Sequence, residues 1–176
     1  MSSPFLFLDR DDTLIYDHPY LRDPAGVELT PGAGRALKVL QDAGFQLALV
    51  TNQSGIARGL VKPEELECVH ARLRELLREE GVVLAGIFLC PHGPWEECDC
   101  RKPRTGMLRQ ACAQFEVDLT RSAMIGDRAG DIEMGRAFGL TTVQIRLNPE
   151  KTPDCGADVS FASLAEAVPF LLKLLR

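Results

Sequence analysis

Phe5-Leu6-Phe7-Leu8-Asp9-Arg10-Asp11-Asp12-Thr13 is the stretch that decides the fold. Four consecutive apolar residues suit a short strand buried on both faces, the hallmark of a parallel sheet covered by helices. Three carboxylates follow within four residues, where such a strand must end. Alternate residues of an extended segment point the same way, so Asp9 and Asp11 can share one side with Arg10 turned aside.

Working outward, apolar runs alternate with helical patterns along the chain. Further strands are expected at Gln46–Val50, Gly86–Cys90, Ala123–Gly126 and Thr142–Ile145, with a short sixth at Asp158–Phe161. Helices are expected at Ala33–Ala43, Pro63–Glu80, Thr105–Phe115, Ile132–Phe138 and Leu164–Leu175, with Gly44, Gly81 and Gly139 as stop signals. The alternation implies one Rossmann-like α/β domain over 1–176, three layers α/β/α around a mainly parallel sheet. Asp9 and Thr51 lie 42 positions apart, filled by a loop, a helix and a strand, so no cap domain fits there. In such sheets ligands bind beyond the carboxyl ends of the strands. Asp9, Thr51 and Asp127 are each expected just past such an end.

The 176 residues are 45% hydrophobic and 26% charged, ample for a packed core. A net charge of −5 speaks against nucleic-acid binding, and no apolar run is long enough for a membrane span. The N-terminus carries no basic stretch before its first strand, so no signal peptide is expected. A monomer in a reducing cytoplasm is expected, where clustered cysteines suggest a metal rather than disulfides.

Two adjacent carboxylates repel unless a cation intervenes, and Mg²⁺ takes carboxylate and phosphate oxygens. Held this way, Asp9 can attack phosphorus while a protonated Asp11 serves a leaving group. A solvated acidic turn is the competing explanation, equally good for this segment alone. Val50-Thr51-Asn52-Gln53-Ser54-Gly55 offers a hydroxyl and backbone donors to a phosphoryl group. Arg101-Lys102-Pro103 offers cations. Gly126-Asp127-Arg128-Ala129-Gly130-Asp131 opens a helix with Asp127 placed for the metal. Asp131 stands there for Lys102, for an outer-shell water, or for the helix dipole.

Cys90, His92, Cys98 and Cys100 put three thiols and an imidazole within eleven residues. That is a tetrahedral structural Zn²⁺ set, closed to water, able to pin the loop that delivers Arg101 and Lys102. Cys68, Cys112 and Cys155 are expected as small hydrophobes, and His70 as a helix-packing residue.

Together these motifs resemble the haloacid dehalogenase superfamily of phosphotransferases, over the whole chain. Asp17-His18-Pro19-Tyr20, Thr51-Asn52-Gln53-Ser54-Gly55 and Cys98-Asp99-Cys100-Arg101-Lys102-Pro103 narrow the resemblance to its heptose-bisphosphate phosphatases. The resemblance implies Asp9 as nucleophile, Asp11 as acid/base, and phosphoryl contacts from Thr51 and Lys102. It implies Mg²⁺ on Asp9, the Asp11 carbonyl and Asp127, with Asp131 in an outer shell. A sugar bisphosphate would touch Asp17, His18, Tyr20, Asn52, Gln53, Ser54, Arg101 and Arg128. Two departures stand out. Asp12 replaces a usual glycine and is expected to point away from the chemistry. The His92–Cys98 loop is short, which keeps histidinol-phosphate phosphatase open. A phospho-receiver domain shares the acidic cluster, Thr and Lys, but would carry its reactive Asp where this chain has Cys90. A zinc-binding adaptor would leave the aspartates without purpose.

Overall fold

A computed structural model of the chain describes residues 2–176. Six parallel strands form one sheet: β1 (Phe5–Leu8), β2 (Gln46–Asn52), β3 (Gly86–Cys90), β4 (Ala123–Gly126), β5 (Thr141–Ile145) and β6 (Val159–Phe161). Their order is β3-β2-β1-β4-β5-β6. Five helices cover it: α1 (Ala33–Asp42), α2 (Pro63–Glu79), α3 (Gly106–Gln114), α4 (Ala129–Ala137) and α5 (Leu164–Leu171).

The expected architecture is the one observed, with shifts at element ends. β2 runs on through Asn52, because Thr51 and Asn52 still pair with Leu89 and Cys90 of β3. Thr51 therefore lies inside the strand rather than beyond it. α4 starts at Ala129, three residues before the apolar stripe signals it, because the Asp131 carboxylate caps the Arg128 amide. α5 holds Pro169 and passes into a 3₁₀ turn at Leu172–Leu175 instead of continuing as α-helix. Gly81, at a φ of 77°, ends α2 in the left-handed region that a side chain would resist.

Strand alternation sorts the core. Leu6 and Leu8 pack with Leu37 and Leu40 of α1, Val69 and Leu73 of α2, and Leu164 of α5. Phe5 and Phe7 face the other layer, with Met107 and Leu108 of α3 and Met134 of α4. Each such side chain contributes about 2 kcal/mol relative to an exposed one. The chain leaves β1 for β2 and β3 on one flank, and uses β4, β5 and β6 on the other. The sheet order thus reverses between β1 and β4, and a crevice opens there at the carboxyl ends.

Arg10 keeps the parity of Leu6 and Leu8, and so drops toward α2. It is 2% exposed, with Nη1 3.3 Å from Nε2 of the buried His70. A guanidinium only donates, so Nε2 must be an unprotonated acceptor. Burial, then Arg10 and Arg74, push His70 from 6.5 down to about 3. As pH falls below 6.5, the unfolded chain takes up a proton that the native one refuses, so this stability is full above 6.5 and lost toward 3. Urea unfolding of the wild type should therefore lose about 2 kcal/mol more than His70→Gln on going from about pH 7.5 to about pH 5. Equal losses in the two proteins would contradict a neutral His70.

Candidate active site

Asp9 follows β1 and donates its N–H to the carbonyl of Ile125 on β4, at 2.8 Å. Because β1 and β4 are sheet neighbours, Asp9 and Asp127 stand side by side at the reversal point. Asp131 joins them from the first turn of α4. Carboxylate oxygens of Asp9, Asp127 and Asp131 lie within 4.8 Å of one another, and all three residues are buried. A side chain at Gly126 would collide with the Asp131 carboxyl, so the sharp approach of strand to helix needs a glycine there.

Lys102 enters this cluster. Its ammonium is 2.6 Å from Oδ1 of Asp9, 2.6 Å from Oδ1 of Asp131, and donates to the Val50 carbonyl at 3.0 Å. Burial would lower its pKa, but Asp131 and Asp9 outweigh burial and hold the ammonium above its ordinary value. One ammonium does not balance three buried carboxylates. Burial and the Asp9 charge push Asp127 up to about 8 and Asp131 up to about 6. Oδ1 of Asp127 is buried without a hydrogen-bond partner among the described residues. A hard divalent cation fits this donor set, since it would take the free oxygen and relieve the repulsion.

Strand alternation predicts the Asp9 and Asp11 carboxylates together, but the buried cluster takes a different partner. Asp131 joins Asp9 and Asp127, whereas the Asp11 carboxylate turns to Arg10, with Nε at 3.0 Å and Nη2 at 2.9 and 3.1 Å from its oxygens. The cause is local: β1 has ended, Asp11 bridges to Ile15, and the curling backbone carries its carboxylate onto the guanidinium. Gln53 also donates to Asp11, at 3.3 Å. Burial raises the Asp11 carboxyl against the pull of Arg10. Asp131 combines two of the roles left open for it, ion-pairing with Lys102 and accepting the Arg128 N–H at the helix start at 3.0 Å.

Above the cluster lies a cleft of about 470 Å³, and all eight expected substrate residues line it: Asp17, His18, Tyr20, Asn52, Gln53, Ser54, Arg101 and Arg128. Some of them have further duties. Asn52 accepts the Lys102 N–H at 3.0 Å and donates to its carbonyl at 3.4 Å, clamping the lysine to β2. Arg101 donates to the His92 carbonyl at 3.2 Å. Arg128 reaches Asp17 at 3.2 Å. Thr51 is buried and off the cleft wall, its hydroxyl accepting from Gln53 at 2.8 Å.

The sulfurs of Cys90, Cys98 and Cys100 and Nδ1 of His92 form a second cluster, with Cys90 and Cys98 sulfurs 3.8 Å apart and Cys100 3.3 Å from Nδ1. All three thiols are free. Burial raises Cys98, but backbone donation from Arg101 and Cys100 brings it down to about 7. Such a set could hold a soft or borderline metal in a closed shell. Trp95 covers Gly93 in this loop, and the Arg58 guanidinium sits 4.8 Å over its ring.

Arg10 was expected to stand clear and instead lines the cleft. Gln144 gave a fainter signal, an amide among the threonines and apolar residues of β5. It is fully buried and donates to the Asp127 carbonyl at 3.0 Å and to Pro153 at 2.8 Å, bracing the loop that carries Asp127. His70 packs inside, as expected. Cys68 is exposed on the outer side of α2, not buried, while Cys112 and Cys155 are half-buried.

Residues 99–167 match the HAD-hydrolase-like family. The chain is 39% identical to the D-glycero-beta-D-manno-heptose-1,7-bisphosphate 7-phosphatase of Haemophilus ducreyi, over 97% of its own length and all of the relative's. It is 43% identical to the protein of that name from Pseudomonas aeruginosa, over 83% of each chain. A crystal structure of D,D-heptose 1,7-bisphosphate phosphatase from B. bronchiseptica, complexed with magnesium and phosphate, superposes with a TM-score of 0.86 at 30% identity, covering 97% of this chain and 98% of that one. No helix among the described residues is long and apolar enough to cross a membrane. With an uncapped parallel sheet, an acidic cluster at its reversal point and relatives matched end to end, the chain belongs to the haloacid dehalogenase-like hydrolases and, within them, to the heptose-1,7-bisphosphate 7-phosphatase family.

Proposed function

We propose that this phosphoric monoester hydrolase removes the C7 phosphate of D-glycero-D-manno-heptose 1,7-bisphosphate through a phosphoryl group carried on Asp9. The observation that carries the proposal is the buried trio Asp9, Asp127 and Asp131, holding one ammonium and one unpartnered carboxylate oxygen. An Asp9 oxygen attacks phosphorus as the bond to the C7 oxygen breaks, and Asp11 gives its proton to that departing oxygen. Asp11, now ionised, takes a proton from a water that attacks the acyl phosphate, which frees Asp9 and inorganic phosphate. Lys102 neutralises Asp9 and the phosphoryl oxygens, and Thr51 supports them through Gln53 or directly once Gln53 yields. Asp9, Asp127 and the Asp11 carbonyl would hold Mg²⁺, with Asp131 bound to Lys102 beside it; the cation would supply positive charge to the transferring group.

Specificity belongs to the cleft walls. Arg101 and Arg128 suit the anionic group at C1, and Asp17, His18, Tyr20, Asn52 and Ser54 supply polar surface to the sugar. The thiol–imidazole cluster is a structural Zn²⁺ site. Its free thiols suit a reducing cytoplasm. The site's work is to keep Arg101 and Lys102 in place, since Arg101 leans on His92.

Asp9→Asn should lower kcat by at least about 10³-fold, some 4 kcal/mol of barrier, with its melting temperature near that of the wild type. Among heptose 1,7-bisphosphate, histidinol phosphate and p-nitrophenyl phosphate with Mg²⁺, the heptose should give the highest kcat/KM; histidinol phosphate in first place would overturn the substrate assignment. Stripping zinc with a chelator should lower Tm by more than about 5 °C. Activity should follow unfolding. A zinc-free protein with unchanged melting and no turnover would show the metal to be catalytic.

A further inference from the structure

Asp12 has no place in the chemistry just described, yet it occupies the turn between the nucleophile and the cleft wall. Its φ is 54°, in the left-handed region where glycine is at ease and aspartate is tolerated at a cost. Its N–H donates to the Ile15 carbonyl at 2.8 Å, which closes the turn. Its side chain does not join the cation cluster, and Oδ1 accepts the Asp17 N–H at 3.0 Å.

We propose that Asp12 is a positioning residue for the cleft wall Asp17–Tyr20, its carboxylate clipping the wall at its first residue. Asp17, held there, extends Oδ2 to Nη2 of Arg128 at 3.2 Å across the cleft mouth. Nε of Arg128 lies 3.5 Å from Oδ2 of Asp127. The contacts thus run from the β1 turn over the mouth and down to the β4 end. At the far end of the wall, Tyr20 sits at a φ of 53° with its ring against Gly55. With no inserted lid, this wall sets how a sugar phosphate is held, and one carboxylate fixes where the wall begins. The inference rests on the cleft being the substrate site proposed above.

Two variants separate this role from a purely structural one. Asp12→Gly suits the backbone but removes the acceptor; Asp12→Asn suits the backbone and keeps Oδ1 while deleting the charge. In Asp12→Gly, KM for heptose 1,7-bisphosphate should rise about five-fold, the loss of one hydrogen bond's ordering, with kcat changed by less than about ten-fold. Tm should move by less than about 3 °C, because relief of the left-handed strain offsets the lost bond. Hydrogen exchange at the Asp17 amide should quicken about five-fold in Asp12→Gly, and Asp12→Asn should restore both KM and exchange. Unchanged KM and exchange in Asp12→Gly would overturn the proposal. So would a kcat loss matching Asp9→Asn, which would put Asp12 in the chemistry itself. The exchange measurement needs no substrate, so it still decides if heptose bisphosphate proves not to be turned over.

Discussion

Three carboxylates and one ammonium share a buried space at the point where the strand order of this sheet reverses. Asp9 comes from the end of β1, Asp127 from the end of β4 and Asp131 from the start of α4, with Lys102 arriving from a loop beyond β3. Placing like charges together away from water is unfavourable, and the surrounding structure is arranged to hold them there against that cost. Gly126 lets the helix start close enough, Gln144 pins the Asp127 carbonyl, and Asn52 clamps the Lys102 backbone to the neighbouring strand. What the carboxylates still lack is positive charge. Oδ1 of Asp127 is buried there without a hydrogen-bond partner among the described residues.

The loop bearing Lys102 contains little secondary structure, so its placement needs other means. One is the Asn52 clamp. Another is the thiol–imidazole cluster, which ties Cys90 at the end of β3 to Cys98 and Cys100 just before Arg101. Two cations therefore reach the cleft from a segment anchored at both flanks, which matches the need of phosphoryl transfer for charge placed in advance.

Much of this was legible from the residues. The strands were plain because a parallel sheet covered on both faces demands unbroken apolar runs such as Phe5–Leu8. The helices were plain where a stripe ended at a glycine, as at Gly81. Less legible were features that depend on where a side chain finally reaches. Arg10 obeyed strand parity and pointed to α2, yet its long side chain bent back onto Asp11, a contact that spacing alone does not reveal. Asp131 carried two roles at once because α4 begins earlier than its apolar pattern. Thr51 was placed beyond its strand because pairing with β3, rather than hydrophobicity, extends β2 to Asn52. Gln144 showed only as an amide in a strand that also carries Thr141 and Thr142. Its partners lie on two other segments.

The stacking of Arg58 on Trp95 joins the segment after β2 to the thiol-bearing segment after β3, and the Ala57 N–H donates to the Pro91 carbonyl in the same contact at 3.3 Å. Through these contacts the two segments form a single rim. Among natural variants, length changes in one should be accompanied by changes in the other. An engineer seeking a new substrate would do best to transplant both as one cassette, leaving the sheet and its acidic centre untouched.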